Sequence, residues 1–205
     1  MIRPGKIVCV GRNYRDHARE MGNDVPVEPL IFLKPPSSVI ATGSPIVLPR
    51  ASNHVEFEGE IGVVIGTALR RATPEEALAA IRGVVAMNDV TARDLQRSDA
   101  QWTRAKGFDS FCPVAAAPVP DLDLDTLTIV TRVNDLERQR ATAADMVFPI
   151  HDLLAYISRI MTLDPGDLVA TGTPAGVGPL VPGDVVEVIV GGVSRVTNPV
   201  IADEE

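Results

Sequence analysis

The stretch His54-Val55-Glu56-Phe57-Glu58-Gly59-Glu60-Ile61-Gly62-Val63-Val64-Ile65-Gly66 sets an acidic alternating half directly before an apolar half. A strand repeats its side-chain direction every two residues, so His54, Glu56, Glu58 and Glu60 share one face. Ile61 to Ile65 then has the length and the Val/Ile content of a buried strand. Three neighbouring carboxylates repel one another, and no basic residue lies within the segment. A bound cation relieves such a face; so does open water at a sheet edge.

Outward from this stretch, the runs Lys6 to Val10, Leu30 to Leu33, Val84 to Met87, Leu127 to Val133, Asp167 to Ala170 and Val185 to Val190 also have strand length. Seventeen prolines and sixteen glycines separate them. Two helices are expected. Thr73-Pro74-Glu75-Glu76 carries a Thr-x-x-Glu capping box with proline in the opening turn. From about His151 to Met161, Leu153, Leu154, Ile157, Ile160 and Met161 recur with a helical period until Asp164-Pro165-Gly166 stops the chain. A shorter helical turn fits Tyr14 to Met21. The pattern predicts a mainly β chain with short helices, of α+β class.

With 27 acidic and 19 basic side chains, the 205 residues carry a formal charge of −8, which excludes a basic nucleic-acid binder. An apolar fraction of 45% fills one core, so a single domain over residues 1–205 is expected. The acidic tail Asp203-Glu204-Glu205 is expected to be a frayed terminus. Cys9 and Cys112 lie in apolar surroundings without paired spacing, so neither a disulfide scaffold nor a thiolate zinc site is expected. No stretch approaches the roughly 18 apolar residues of a spanning helix. A soluble cytoplasmic protein with no membrane partner fits these features. GVGPLVPG lacks the lysine and helix of a phosphate-binding loop, so no nucleotide cofactor is inferred.

The second acidic element, Met87-Asn88-Asp89-Val90-Thr91-Ala92-Arg93-Asp94, leaves an apolar strand at Asn88-Asp89. Two glutamates two residues apart, joined by Asp89, form a three-carboxylate set that leaves octahedral positions for water and substrate. Such a set suits Mg²⁺ or Mn²⁺ better than zinc. Asp89 serves equally well as a turn or helix cap for TARD.

GRNY followed by DHxxE, FLKPPSS, ExE before VVIG, NDVTARDLQ, WTRAKGFDSFCP and the late TGTPAGVG run in this order from about Val8 to Asp184. Together they resemble the fumarylacetoacetate hydrolase superfamily, and are similar to its short acylpyruvase, oxaloacetate decarboxylase and fumarylpyruvate hydrolase type. The resemblance implies a mixed β-sandwich roll, a homodimer, and a metal held by Glu58, Glu60 and Asp89; Glu56 is left unassigned. It also implies a His17–Glu20 dyad, a lysine near the metal at Lys106, and a substrate-binding loop at Thr171-Gly172-Thr173-Pro174 with Thr173 as the contact. Arg12 and Asn13 in the first loop, and Arg93 and Gln96, are candidate substrate contacts with structural roles open to each.

The chemistry follows from these groups. A 2,4-diketo acid chelates a hard cation through its C1 carboxylate and C2 carbonyl. Cleavage between C3 and C4 leaves the enolate of pyruvate, whose charge the cation stabilises. Oxaloacetate decarboxylation yields the same enolate. Hydrolysis also needs a base, and His17 and Glu20, three residues apart, are neighbours on one helical face, where a solvated ion pair is the simpler alternative. The expected function is a divalent-metal-dependent hydrolase of acylpyruvates that also decarboxylates oxaloacetate. The rivals are an isomerase or decarboxylase of 2-hydroxy-diene or 2-oxo dicarboxylates, and a non-catalytic dicarboxylate-binding module. The proline-bounded segment Tyr14 to Pro29 is expected to act as a mobile lid. His151 is expected to cap or pack, and His54 to stand behind the ligands at most.

Overall fold

The computed structural model of the chain describes residues 2–204, so Glu205 of the acidic tail lies outside the described residues. Strands take 37% of the chain and helices 19%, which makes it mainly β with short helices, as its short apolar runs predict.

Two five-stranded sheets carry the architecture. The first runs in the spatial order Leu30–Lys34, Ile7–Gly11, Leu168–Ala170, Gly59–Ile65, Ile81–Asn88. Ile7–Gly11 is parallel to Leu168–Ala170, and the other neighbours are antiparallel. Every residue of Gly59–Ile65 is buried, which explains its unbroken apolar run. The second sheet runs Leu136–Thr142, Thr128–Val133, Val185–Val190, Ser194–Ala202, Ile46–Leu48. Two of its strands, LERQRAT and SRVTNPVIA, form no apolar run and escape a search for one. In Ser194–Val200 buried residues alternate with partly exposed ones, the pattern of a strand wet on one side.

The sheets meet through a core in which Ile61, Val63, Val85 and Met87 of the first pack with Ile129, Val188, Val190 and Val196 of the second. Each such side chain contributes about 1.5–3 kcal/mol by leaving water. Both expected helices are present. Pro74–Ala79 starts on the reciprocal capping box, with Glu76 N–H donating to Thr73 Oγ1 and Thr73 N–H donating to Glu76 Oε2. Ile150–Ile160 buries Leu153, Leu154 and Ile157 and packs against Pro74–Ala79. His151 lies inside its first turn behind Pro149 and is therefore not the cap.

The acidic stretch is not one continuous strand. Val55–Phe57 belongs to a small three-stranded sheet with Gly178–Pro179 and Thr91–Ala92, and the chain then enters the large sheet at Gly59. Glu58 sits at the break. Its N–H donates to Asn88 Oδ1 at 2.9 Å, and its carbonyl accepts the Asp89 N–H at 2.8 Å. Only glycine fits next to it: a Cβ at Gly59 would lie 1.9 Å from Thr131 Oγ1.

The segment Tyr14 to Pro29 divides into two parts. Arg15–Glu20 is a helix with His17 and Ala18 buried, whereas residues 22–29 have no regular structure and are largely exposed. The helical part packs into the molecule through His17 and Ala18.

Candidate functional site

Glu58, Glu60 and Asp89 converge from the start of one strand and the end of its neighbour, because register pairs Gly59 with Asn88 and Glu60 with Met87. Each offers a carboxylate oxygen, the three atoms lie within 4.8 Å of one another, and all three residues are buried. The donor set contains no histidine or thiolate, so its chemistry fits a hard divalent cation such as Mg²⁺ or Mn²⁺. Asp89 is neither turn nor cap, since the following helix starts at Arg93 behind Ala92.

The face that lacks a basic residue in the sequence acquires three cations in the fold. Lys106 Nζ donates to Glu58 Oε2 at 2.7 Å and to Asp89 Oδ2 at 2.6 Å. Lys34 Nζ donates to Asp89 Oδ1 at 2.7 Å. Arg93 Nε donates to Glu56 Oε2 at 2.6 Å, and its Nη2 forms an ion pair with Glu58 Oε1 at 2.5 Å. Neither Lys106 nor Glu56 is a surface residue: they are 2% and 8% exposed. His54 Nε2 lies 2.9 Å from Glu56 Oε1, which places it behind Glu56 and away from the three converging carboxylates.

Four carboxylates, Glu56, Glu58, Glu60 and Asp89, thus face three cations. Burial raises the Glu58 carboxyl, but Arg93 and Lys106 outweigh it and hold the group far below the usual carboxylate range. Burial also disfavours the Lys106 ammonium, yet Asp89 and Glu58 keep its pKa raised. Glu60 is the excess member. Burial first, and then the charges of Asp89 and Glu58, push its carboxyl well upward, against the pull of Lys106 and of the Gly172 N–H that donates to Oε2 at 2.8 Å. A bound cation would offset this surplus of negative charge.

His17 and Glu20 meet as their spacing predicts, with Nδ1 3.3 Å from Glu20 Oε2. The pair is not a solvated surface ion pair, because His17 is 6% exposed and lines the same cavity as Glu58, Glu60 and Lys106. Both Glu20 oxygens also accept the Gly176 N–H, at 3.1 and 3.2 Å. Glu20 facing Nδ1 assigns the ring proton to that nitrogen and leaves Nε2 as an acceptor.

The cavity has a volume of about 370 Å³. Arg12, in the left-handed region at φ 59°, lines it together with Arg93, Gln96 and Arg97. Phe32 and Trp102 form an apolar wall, their rings 5.3 Å apart edge to face, with Lys106 Nζ 5.1 Å from the Phe32 centroid. Asn13 does not line it. Its side chain donates to the Phe148 and Thr171 carbonyls and accepts the Phe148 N–H, so its amide is committed to the backbone. Thr173 does line the cavity, but its hydroxyl proton is spent on the Gly59 carbonyl at 2.8 Å. It is not a free hydroxyl donor to substrate.

Two buried residues escaped the sequence reading as site members. Lys34 ends the run LIFLK; a lone lysine between apolar residues and two prolines was the available signal. Gln139 sits in LERQRAT, and nothing in that polar run marks it.

Residues 6–201 match the family described as fumarylacetoacetate (FAA) hydrolase C-terminal. The oxaloacetate tautomerase YcgM of Escherichia coli is 41% identical over 199 residues, covering 94% of this chain and 91% of the relative. The mitochondrial oxaloacetate decarboxylase of Dictyostelium discoideum is 41% identical over 189 residues, covering 89% and 87%. Among solved structures, 5-carboxymethyl-2-hydroxymuconate delta-isomerase from Mycobacterium smegmatis superposes with a TM-score of 0.93 at 43% identity, covering all of this chain and 81% of the other.

Proposed function

The chain belongs to the FAA hydrolase C-terminal family, and from that premise we propose that it cleaves the C3–C4 bond of 2,4-diketo acids such as acetylpyruvate or fumarylpyruvate, and decarboxylates oxaloacetate at the same site. The observation that carries this reading is the His17–Glu20 pair opening onto the cavity that holds Glu58, Glu60 and Lys106.

Glu58, Glu60 and Asp89 would hold Mg²⁺ or Mn²⁺, which supplies positive charge that draws electron density from the substrate's 2-oxo group. The chain's own groups do the rest. Glu20 fixes the imidazole with Nδ1–H toward itself, so Nε2 accepts a proton from the water that attacks C4. Glu20 also stabilises the imidazolium that results. As the C3–C4 bond breaks, its electron pair stays on C3, which takes the proton from Nε2. The products are pyruvate and a carboxylic acid. Lys106 offers an ammonium to the substrate's carboxylate end, and Arg93 and Gln96 border the space for its distal end.

A second reading is keto–enol or double-bond isomerisation, in which His17 moves a proton without any attack by water. The names of the E. coli and M. smegmatis proteins favour it. A non-catalytic binding module has no use for an imidazole oriented by a carboxylate beside the ligand space. The reading also takes the protein as a cytoplasmic homodimer; Leu30 and Leu33, exposed on an edge strand, support self-association.

The test follows acetylpyruvate, fumarylpyruvate and oxaloacetate by absorbance with Mg²⁺, with and without chelator, while measuring pyruvate. Metal-dependent pyruvate release is expected. Loss of enol absorbance without pyruvate supports isomerisation, and no change with any of the three overturns both readings.

A further inference from the structure

The loop from Thr171 to Gly176 touches both halves of the site. At one end, the Gly172 N–H donates to Glu60 Oε2 at 2.8 Å; at the other, the Gly176 N–H donates to Glu20 Oε1 at 3.1 Å. Between them, Thr173 Oγ1 donates to the carbonyl of Gly59, the residue that separates Glu58 from Glu60. Gly172 and Gly176 have φ of +100° and +102°, so the loop's shape depends on backbone that other residues rarely adopt. A loop of this kind needs an anchor.

Gln139 is that anchor. Its Oε1 accepts the Gly59 N–H at 3.0 Å, and its Nε2 donates to Thr173 Oγ1 at 2.8 Å and to the Pro174 carbonyl at 2.7 Å. It is 1% exposed, in a strand where Leu136, Glu137, Arg138 and Arg140 are all exposed. It does not line the cavity, so whatever it does for the reaction passes through Gly59 and the loop. A buried amide with these bonds made is costly to replace, because the Gly59 N–H and the Pro174 carbonyl lose the partner that compensates them for leaving water.

We propose that Gln139 is a positioning residue that pins Thr173 and Pro174 against Gly59 and so fixes the His17–Glu20 pair relative to Glu58, Glu60 and Asp89. The proposal rests on the reaction assigned above. Hydrolysis needs both groups to act on one substrate molecule, whereas decarboxylation needs only the carboxylate side. Loosening the anchor therefore separates the two activities.

The variants are Gln139→Met, which keeps the length and removes every hydrogen bond, and Thr173→Val, which removes the shared hydroxyl. Because a misplacement of ~1 Å costs up to ~100-fold, kcat for acylpyruvate hydrolysis should fall ~10- to 100-fold while KM, oxaloacetate decarboxylation and Mn²⁺ affinity by calorimetry stay within ~3-fold. Amide exchange at Gly172 and Gly176 should quicken ~10-fold or more as their loop loosens. The double variant should fall short of the combined single losses, since both remove the Gln139–Thr173 bond. Unchanged exchange at these two amides in a folded Gln139→Met protein overturns the proposal, as do equal losses of both activities or additive effects. If Gln139→Met does not fold, Thr173→Val takes its place, with the same measurements and the same outcomes overturning the proposal. If the wild type releases no pyruvate from acylpyruvates, the reaction assignment fails, and the exchange experiment still decides whether Gln139 holds the loop.

Discussion

Lys34 and Asp89 form an ion pair closed to water, with Nζ 2.7 Å from Oδ1 and side chains 0% and 1% exposed. Lys34 reaches Asp89 from the edge strand of the large sheet, 55 residues away in sequence. Its ammonium also donates to the carbonyls of Val90 and Lys106, so its donors are used within the protein. Charge withdrawn this far from solvent is stable only while it stays paired.

Lys34→Met should therefore destabilise the protein, by less than the roughly 3–5 kcal/mol of a buried pair broken outright, because Lys106 still donates to Asp89 Oδ2. Urea unfolding monitored by circular dichroism measures it. A loss below about 1 kcal/mol would assign Lys34 a minor part in holding Asp89.

His17→Gln should lower kcat for acylpyruvate hydrolysis by about 10²–10⁴-fold, the usual contribution of a positioned base. Metal affinity and oxaloacetate decarboxylation should survive, because neither requires Nε2 to activate water. Parallel loss of decarboxylation would remove His17 from the role of water base.

Glu60→Gln keeps an acceptor for the Gly172 N–H and removes the surplus negative charge. It should weaken binding of Mn²⁺ by more than the roughly 10–100-fold typical of residues that only support ligands, and abolish hydrolysis and decarboxylation together. Removal of metal from the wild type by chelator should give the same double loss. Calorimetric titration showing unchanged metal affinity in the variant would break the ligand assignment.

The two thiols predict an alkaline weakness. Burial pushes Cys112 up to about 12 and raises Cys9 as well, from ordinary values of 9.0. Above pH 9 the unfolded chain releases thiol protons that the folded chain keeps, so stability is complete below that pH and falls as pH rises toward the folded values. Each thiol should contribute a slope of about 1.4 kcal/mol per pH unit in that window. Denaturant midpoints taken from pH 8 to 10.5 test this, and Cys112→Ala should flatten the decline. Cys112 is fully buried and held as the thiol, so a thiol reagent should label it only after unfolding.

Part of the site was legible because it is local. Glu58 and Glu60 are two residues apart, His17 and Glu20 three, and the Thr73–Glu76 capping box closes over three; in each case the repeat of a strand or helix sets the geometry. Asp89 was legible as the polar end of an apolar run, although a turn or cap would have left the same trace. The acidic face misled in one respect. Its cations lie outside the segment, since Lys34, Arg93 and Lys106 arrive from elsewhere in the chain. Asn13 and Thr173 were expected to meet substrate, yet their polar side-chain groups are committed within the protein to partners far along the chain.

The sequence alone determined the residue types that converge and the runs that become strands, since side-chain period and apolar burial act over a few neighbouring residues. The tertiary structure alone decided which cation faces which carboxylate, and that Gln139, 80 residues from Gly59, ties the Gly59 N–H to Thr173 and Pro174. Charge pairing and hydrogen bonding depend on separations of a few ångströms, and between distant segments those separations exist only once the sheets have assembled.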